Sequence, residues 1–393
     1  MKKHIWSTIG VAALLLVIVI AAIQMGKMPL GLGAALQEAG GDERIGAPIK
    51  IGGAFGQTGI CAEFGEGEFR AATLAVEDIN ASGGILGREV VLIAEDTLCE
   101  NKGAANATRK LVDVDKVSAI VGPTWGDTFQ SGYPISRAAH VLSIGPSSAL
   151  ESLVYTGVSN ELVFSTWFPQ NLEIDALQTH IASQGLKTVL IIHDQDPFGA
   201  MMGMLFKDQA SRNGLEVIGE EVILTDQIDF RTFIARMKAK KPDAVFASFV
   251  SPEHKAIFFK QAKELGFATR LFASADTENP ALLASFSGAL EGIVYTSPKG
   301  ASGYDEFAQR YEKRFGEKAR VSSSHAYDAV NVLVAAIKKA GTTDGLALER
   351  ALLSVEIPGV TYNTLRFSDK HQIIGGEFII KTVRDGKFVV LKE

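Results

Sequence analysis

The residues best suited to bind a small molecule lie in Gly122–Phe129, which reads GPTWGDTF and leads into a predicted helix. Backbone N–H groups at a helix start, aided by a hydroxyl such as that of Thr128, suit an anion such as an α-carboxylate. Trp125 and Gly126 lie beside this predicted anion site. Asp127 would repel a carboxylate if it faced the ligand, and we interpret it as the cap of the helix N-terminus.

Residue patterns for catalysis, metals or nucleotides are absent from the sequence. It contains no G-x-S-x-G elbow, no H-E-x-x-H pair and no phosphate-binding loop, and its 7 histidines are scattered. The glycines of Gly52–Gly56 lack the G-x-G-x-x-G spacing of a dinucleotide site. The 2 cysteines have no paired Cys/His spacing that would suit a metal. We therefore predict a protein that is not an enzyme and uses no cofactor or metal.

Apolar strand candidates alternate with amphipathic helix candidates along the chain. The expected strands are Ile49–Phe55, Val90–Ala94, Ser118–Val121, Val141–Ile144, Val189–His193, Val217–Ile223, Ala244–Val250, Leu271–Ser274 and Gly292–Thr296. The helices between them include Phe64–Asn80, Asn101–Asp113, Asn171–Gln184, Ala200–Arg212, Phe230–Lys240 and His254–Leu265. This alternation predicts α/β domains with doubly wound parallel sheets, whose ligands bind at the carboxyl ends of the strands.

The length and the tail of the chain add two expectations. At 393 residues the chain exceeds the size of one hydrophobic core, so two domains are expected. The alternation restarts after Phe164–Pro169. Near the C-terminus, Thr364–Ser368 and Gly376–Val390 read as strands, with a hairpin turn at Arg384–Gly386.

A family resemblance rests on the segment Ala71–Thr97. An amphipathic helix ends there in Asp78–Gly87, which reads DINASGGILG, and a buried strand follows. Glycine suits the helix end because it adopts the left-handed conformation without a Cβ clash. The segment resembles the signature of the leucine/isoleucine/valine-binding protein family, the type I periplasmic solute-binding proteins. The resemblance extends from about Pro48 to the C-terminus.

The resemblance implies two lobes joined by a three-strand hinge around a central cleft. Chain crossings are implied near Thr166, Thr296 and Phe367. Lobe 1 would comprise residues 48–166 and 297–367, and lobe 2 would comprise residues 167–296 and 368–393. Ligand binding would close the cleft, because the closed form binds the ligand better.

The resemblance also implies aromatic walls for the ligand. Phe64 occupies the place of one wall, although a core phenylalanine at a helix start is the alternative. Phe198 precedes a glycine, as the second wall residue does in related proteins. Phe249 ends a further strand at the same edge.

Polar contacts to the ligand are implied as well. Ser147, Ser148 and Ala149 match a loop that offers a carbonyl and a hydroxyl to an ammonium group, with a plain turn as the alternative. Asp276 lies near an acidic position that pairs with that ammonium group, and a charge-assisted hydrogen bond there is worth ~1.5–3 kcal/mol. The alternative for Asp276 is a solvated turn residue.

The implied function is an extracytoplasmic solute-binding protein that delivers its ligand to the permease subunits of an ABC importer. The ligand would be a branched-chain or other small apolar amino acid, with amides, urea and aromatic acids left open by the altered Trp125–Thr128 loop. The alternative is a ligand-sensing domain, for amides or similar molecules, that signals to a partner protein. Neighbouring permease genes would favour transport, and a neighbouring kinase gene would favour sensing. A net charge of −6 argues against a nucleic-acid partner.

The N-terminus reads as a membrane-targeting segment. Lys2 and Lys3 precede Ile5–Gly26, 22 residues without Asp, Glu, Lys or Arg. This length suits a spanning helix, and we favour an anchor in the membrane over a cleaved signal peptide. The lysines place the N-terminus in the cytoplasm and the remainder outside. Residues 28–47, rich in Gly and Ala, would form a tether after a leader of residues 1–27.

Cys61 and Cys99 both lie in the exported part, where an oxidising compartment permits a disulfide. Related proteins have a cysteine after the second strand, as Cys99 is, but its partner usually lies elsewhere. Cys61 lies in the first loop, which should be near if strands one and two are neighbours. A disulfide between them is predicted, and two isolated thiols are the alternative.

Overall fold

The computed structural model describes residues 46–150, 161–320 and 322–392, and two β-sheets form its framework. The first sheet contains β1 (Ile49–Phe55), β2 (Val90–Asp96), β3 (Ala119–Val121), β4 (Leu142–Gly145) and β5 (Val163–Ser165). The second contains β6 (Thr188–Asp194), β7 (Glu216–Ile223), β8 (Ala244–Ser248), β9 (Arg270–Ala273), β10 (Val294–Pro298), β11 (Phe378–Arg384) and β12 (Lys387–Lys392).

β11 leads directly into β12, and helices follow most of the other strands. The helices are α1 (Ala62–Ala81), α2 (Asn101–Lys110), α3 (Gly126–Ala138), α4 (Gln170–Ser183), α5 (Pro197–Ala210), α6 (Arg231–Lys240), α7 (Pro252–Glu264), α8 (Pro280–Leu290), α9 (Tyr304–Phe315), α10 (Ser323–Ala340) and α11 (Gly345–Leu352). A short π-helical turn, Leu111–Asp115, extends α2.

The strand order confirms the predicted doubly wound fold. The first sheet has the order β2-β1-β3-β4-β5 and is parallel throughout. The second has the order β12-β11-β10-β9-β8-β6-β7, in which β11 is antiparallel to both of its neighbours and the other pairs are parallel. Parallel strands leave their carboxyl ends at one edge of each sheet, where the candidate loops begin.

The signature segment has a physical role at the end of α1. Asn80 donates from Nδ2 to the Val90 carbonyl (2.7 Å) and accepts from the Val90 N–H at Oδ1 (2.9 Å). These bonds hold the end of α1 against the start of β2. Gly84 has φ +77°, and a Cβ there would lie 2.0 Å from the Arg88 carbonyl oxygen. Glycine is therefore required at the turn.

The C-terminal hairpin was predicted correctly, and one predicted strand was wrong. Asp385 and Gly386 have φ of +52° and +64°, as a tight hairpin between β11 and β12 requires. Thr364–Ser368 forms no strand. Two residues in it pair singly with different partners, Leu365 with Ile357 and Phe367 with Ile373, so no ladder of consecutive hydrogen bonds develops.

The later helices pack against the first sheet's elements. Arg310 of α9 pairs with Asp78 of α1 (2.6 Å), and Arg314 pairs with Glu77 (2.9 Å). After β10 the chain therefore leaves the second sheet and packs α9 against α1 beside the first sheet. It returns to the second sheet at β11. The bounds assigned to the two lobes stay a prediction.

The predicted anchor, Ile5–Gly26, and most of the tether lie outside the described residues. Within residues 46–150, 161–320 and 322–392, none of the helices combines the length and apolarity needed to cross a bilayer.

Candidate functional site

A cavity lies among loops that follow the carboxyl ends of strands in both sheets. Its volume is about 60 Å³, which roughly four to six water-sized groups would fill. The lining residues follow β1, β3, β4 and β5 in the first sheet and β6, β8 and β9 in the second. They are Phe64, Trp125, Gly126, Asp127, Ser147, Ala149, Trp167, Asp196, Pro197, Phe198, Val250 and Asp276.

The structure brings together most of the predicted site residues in this lining. They are Phe64, Trp125, Gly126, Ser147, Ala149, Phe198 and Asp276. Residues that were not in the predicted site also line it, namely Asp127, Trp167, Asp196, Pro197 and Val250. Contact of any of these residues with a ligand stays a prediction.

Three predicted residues lie outside the lining. Thr128 turns its hydroxyl inward and donates it to the Thr124 carbonyl. Ser148 is buried, and its hydroxyl lies 3.1 Å from the Pro123 carbonyl oxygen. Phe249 is buried in an aromatic cluster behind the cavity, with its ring 5.6 Å from that of Phe230. Two of the three hydroxyls predicted to contact the ligand, those of Thr128 and Ser148, are therefore engaged within the first sheet's own loops.

Aromatic rings form the apolar walls of the cavity. The Phe64 ring lies edge-on to Trp125 with centroids 5.5 Å apart, and it lies 6.4 Å from Trp167. Trp167 is buried and stacks on Phe168 at 4.2 Å. Phe198 of α5 lies on the side of the cavity that the second sheet supplies. Offset and edge-on ring pairs of this kind pack stably and present flat apolar faces.

Two carboxylates enter the cavity from opposite sheets. Asp127 lies in the first turn of α3, where Trp125 holds the N-cap position, so the expectation that Asp127 is the N-cap was wrong. Asp196 caps α5 and accepts from the Phe198 N–H (2.9 Å). Burial raises the pKa of Asp127. Burial, together with the negative charges of Asp127 and Asp194, raises the pKa of Asp196 to about 6.

Asp276 reaches the cavity already paired with a cation. The Lys255 ammonium lies 2.7 Å from both carboxylate oxygens of Asp276, and the Ser274 hydroxyl donates to the same carboxylate (2.5 Å). The Lys255 side chain is fully buried. Its charge therefore balances that of Asp276, so Asp276 is not a solvated turn residue.

A buried glutamate lies beneath the loops of the first sheet. Glu68 of α1 is fully buried and accepts a hydrogen bond from the Thr124 hydroxyl (2.6 Å), which in turn accepts from the Gly56 N–H (3.0 Å). Burial raises the pKa of Glu68 to about 7, against the opposing effect of hydroxyls that include Ser147. The Thr124 hydroxyl thus ties the loop after β3 to the loop after β1, and the Glu68 carboxyl group holds that hydroxyl in place.

A second buried glutamate, Glu173 of α4, forms hydrogen bonds with the loop after β9 and with β10 of the second sheet. It accepts from the Ala275 N–H (2.6 Å) and from the Thr296 hydroxyl (2.7 Å). The Gln170 amide, oriented to satisfy both of its groups, donates to Glu173 (3.1 Å) and accepts from the Trp167 indole (3.2 Å). Burial raises the pKa of Glu173 to about 7.

A disulfide joins Cys61, which precedes α1, to Cys99, which follows β2, with Cα atoms 5.7 Å apart. The bond holds the start of α1, and with it Phe64, beside the end of β2. Among the described residues, no group of three or more His, Cys, Asp and Glu could hold a metal ion.

Asp196 could have been identified from local sequence alone. An aspartate followed by proline at the first helical position is a typical helix start, and Asp196-Pro197 has this pattern. Lys255 offers no such signal, because a lysine in a helix usually lies on the solvated face.

Comparisons with known proteins match most of the chain. A family model described as periplasmic binding protein matches residues 48–387. The leucine-, isoleucine-, valine-, threonine- and alanine-binding protein of Pseudomonas aeruginosa is 26% identical over 340 residues, covering 84% of this chain and 89% of that protein.

Solved structures share the fold. A type 1 periplasmic binding protein from Bordetella pertussis is 25% identical, with a TM-score of 0.78 over 88% of this chain and 100% of the other. The branched-chain amino acid transporter substrate-binding protein LivJ from Streptococcus pneumoniae, in complex with isoleucine, is 22% identical, with a TM-score of 0.76 over 88% and 100% of the two chains.

Proposed function

Because the chain belongs to the periplasmic binding protein family, we propose that it captures a small solute outside the cytoplasm and delivers it to an ABC importer. The proposed ligand is a branched-chain or other small apolar amino acid. The relative from Pseudomonas aeruginosa is named for binding such amino acids. Membership of a family of binding proteins favours capture over catalysis.

The observation that carries this proposal is the composition of the cavity. Aromatic rings from both sheets surround a small volume, and the polar groups Ser147, Asp127, Asp196 and Asp276 lie at its border. Binding sites for small molecules typically combine apolar walls with a few placed polar groups. The rings would enclose the ligand side chain, and the carboxylates would face its ammonium group.

Capture would proceed by closure of the cleft. Loops of both sheets line the same cavity, so a ligand that touches both favours the closed arrangement over the open one. One direct link already crosses between the elements of the two sheets. Asn279, which caps α8, donates to the Glu63 carboxylate in the first turn of α1 (2.8 Å).

We also propose that the N-terminal segment keeps the protein at the outer face of the cytoplasmic membrane. The uncharged stretch Ile5–Gly26 after Lys2 and Lys3 supports this anchor. An anchored receptor would present its cleft close to the permease subunits.

A thermal-shift measurement on the purified full-length chain tests the proposed function. Leucine, isoleucine, valine, alanine and threonine would each be added at increasing concentration. A ligand at a hundred times its dissociation constant stabilises the fold by ~2.7 kcal/mol, which is a readily measured shift.

A matched pair of variants locates the site. Phe198→Ala removes a ring that lines the cavity, and Phe233→Ala removes a similarly half-buried ring of α6 outside the lining. We expect the first to weaken binding about 10- to 100-fold, since burying a phenylalanine contributes roughly 1.5–3 kcal/mol. The second should leave affinity unchanged. If none of these amino acids shifts the unfolding transition, the proposed amino-acid ligand is wrong.

A further inference from the structure

The two carboxylates Asp127 and Asp196 occupy the cavity from opposite sides. Asp127 comes from α3 beside the first sheet, and Asp196 comes from the N-terminus of α5 beside the second. Both line the same small volume. The negative charge of Asp127 contributes to the raised pKa of Asp196.

These two negative charges have no cationic partner in the described part of the protein. None of the described residues that line the cavity is Lys, Arg or His. Lys255, behind the lining, is bound to Asp276 through two contacts of 2.7 Å. The ion pairs formed among the described residues do not include Asp127 or Asp196. The cavity therefore carries an excess of negative charge that a bound cation would balance.

The walls of the cavity also suit a cation. Trp125, Trp167, Phe64 and Phe198 surround the same volume, and aromatic faces attract ammonium groups with about 0.5–2 kcal/mol each. An apolar side chain would gain from the same rings, so they accommodate an aliphatic ammonium compound as a whole.

The cavity has fewer features that would bind a carboxylate than features that would bind a cation. The hydroxyls of Thr128 and Ser148 are directed to backbone carbonyls rather than into the cavity. Each helix N-terminus that faces the cavity already carries an aspartate. Asp196 accepts from the Phe198 N–H, and Asp127 lies in the first turn of α3.

We propose that Asp127 and Asp196 together bind the ammonium group of the ligand, and that the cavity prefers an aliphatic ammonium compound of net positive charge over the zwitterionic amino acid with the same side chain. The inference rests on the proposed capture of a small solute, and it departs from the proposed amino-acid ligand by assigning the preferred ligand a net positive charge. It also explains closure, because the two carboxylates repel one another until a cation lies between them.

Isothermal titration calorimetry of the full-length chain with four related compounds tests this inference. The compounds are leucine, leucinamide, 3-methylbutylamine and 4-methylpentanoate, which share an isobutyl group and differ in charge. We expect leucinamide and 3-methylbutylamine to bind at least tenfold more tightly than leucine. No binding is expected for 4-methylpentanoate.

Variants of each aspartate extend the test. Asp127→Asn and Asp196→Asn should each weaken binding of 3-methylbutylamine at least tenfold and reduce the preference for leucinamide over leucine. Asparagine remains a good N-cap, so Asp196→Asn preserves the start of α5. Asp305→Asn, an exposed first-turn aspartate of α9, serves as the matched control and should change neither value.

The outcomes separate this inference from the proposed function. Leucine binding as tightly as leucinamide, or a preference unchanged in both variants, overturns the inference and leaves the proposed function standing. Binding of none of the amino acids, amines or amides overturns both.

Discussion

The two sheets share one winding order, but different interactions hold the loops at their carboxyl ends. The order β2-β1-β3-β4-β5 of the first sheet recurs as β7-β6-β8-β9-β10 in the second, where β11 and β12 extend the edge. In the first sheet, the Cys61–Cys99 disulfide and the fully buried Glu68 tie the loops together. In the second, the buried Lys255–Asp276 pair links the helix after β8 to the loop after β9.

The comparison shows that strand order determines where a cavity forms, while the loops determine its chemistry. Parallel strands of both sheets deliver their loops to a common edge. The cavity lining includes Phe64, Trp125, Asp127 and Ser147 from the first sheet's side, and Asp196, Phe198 and Asp276 from the second. Because a disulfide and Glu68 hold the first side and an ion pair holds the second, the two sides should respond differently to loss of charge, to reduction and to pH.

Lys255→Met should produce the largest change in stability. It leaves the Asp276 carboxylate, whose side chain is 12% exposed, without its cation, and breaking a buried pair costs about 3–5 kcal/mol. Urea denaturation measures the loss. The double variant Lys255→Met with Asp276→Asn should recover much of it, because no unpaired charge remains. If the single and double variants lost the same free energy of unfolding, the unpaired Asp276 charge would not be the cause of the loss, and the prediction would be wrong.

Removing the disulfide on the first sheet's side should lower the free energy of unfolding by as much as Lys255→Met or by less. In the chain-entropy model, opening the 38-residue separation between Cys61 and Cys99 costs about 4 kcal/mol. The variant with Cys61→Ser and Cys99→Ser should lose this stability, and dithiothreitol should then have no further effect on it. Dithiothreitol should destabilise the unmodified chain alone. A reductant effect that persists in the variant would contradict the assignment.

Glu68→Gln should reduce the dependence of stability on pH. Burial raises the pKa of Glu68 from 4.5 to about 7, so folding takes up a proton between these values. Its contribution is fully present below pH 4.5 and is lost as pH rises through 7, by up to roughly 3 kcal/mol. Urea denaturation at pH 5 and pH 8 should show a smaller decrease in the variant. Glu264→Gln, at the exposed end of α7, is the control and should follow the unmodified chain.

Asn279→Asp should have the smallest effect, confined to closure between the two sides. The substitution keeps a cap for the Leu282 N–H but places a second carboxylate against Glu63. We expect ligand affinity to fall about fivefold, equivalent to ~1 kcal/mol, and the loss to shrink at high salt. Adding Glu63→Gln restores a donor and should restore affinity. An effect of the same size in 1 M salt would contradict an electrostatic origin.

Local patterns were sufficient to predict most of the framework. Strand–helix alternation predicted the parallel sheets, and Asp385-Gly386 predicted the hairpin, because both depend on neighbours along the chain. Thr364–Ser368 was wrongly predicted as a strand, since an apolar run near a turn does not specify whether a partner strand continues beside it.

The sequence predicted which loops form the candidate site, but it predicted only some of the side chains of those loops that line the cavity. The rule that ligands bind beyond the carboxyl ends of strands selected the loops, and the family resemblance implied Phe64, Ser147 and Asp276 within them. The structure places these three residues in one cavity lining with Trp125. The direction of a side chain within a loop is not specified locally. Thr128 and Ser148 consequently turn inward, and Phe249 lies behind the cavity.

By itself, the sequence predicted the fold class and, through the rule for open α/β sheets, the loops beyond the carboxyl ends of the strands. Periodicity and glycine placement encode these features within a few residues of one another. The tertiary structure alone decided that Lys255 balances Asp276 and that Asp127 and Asp196 share one cavity. Each of these pairings joins residues that lie far apart along the chain, and it arises because two separately wound sheets bring their loops to the same place.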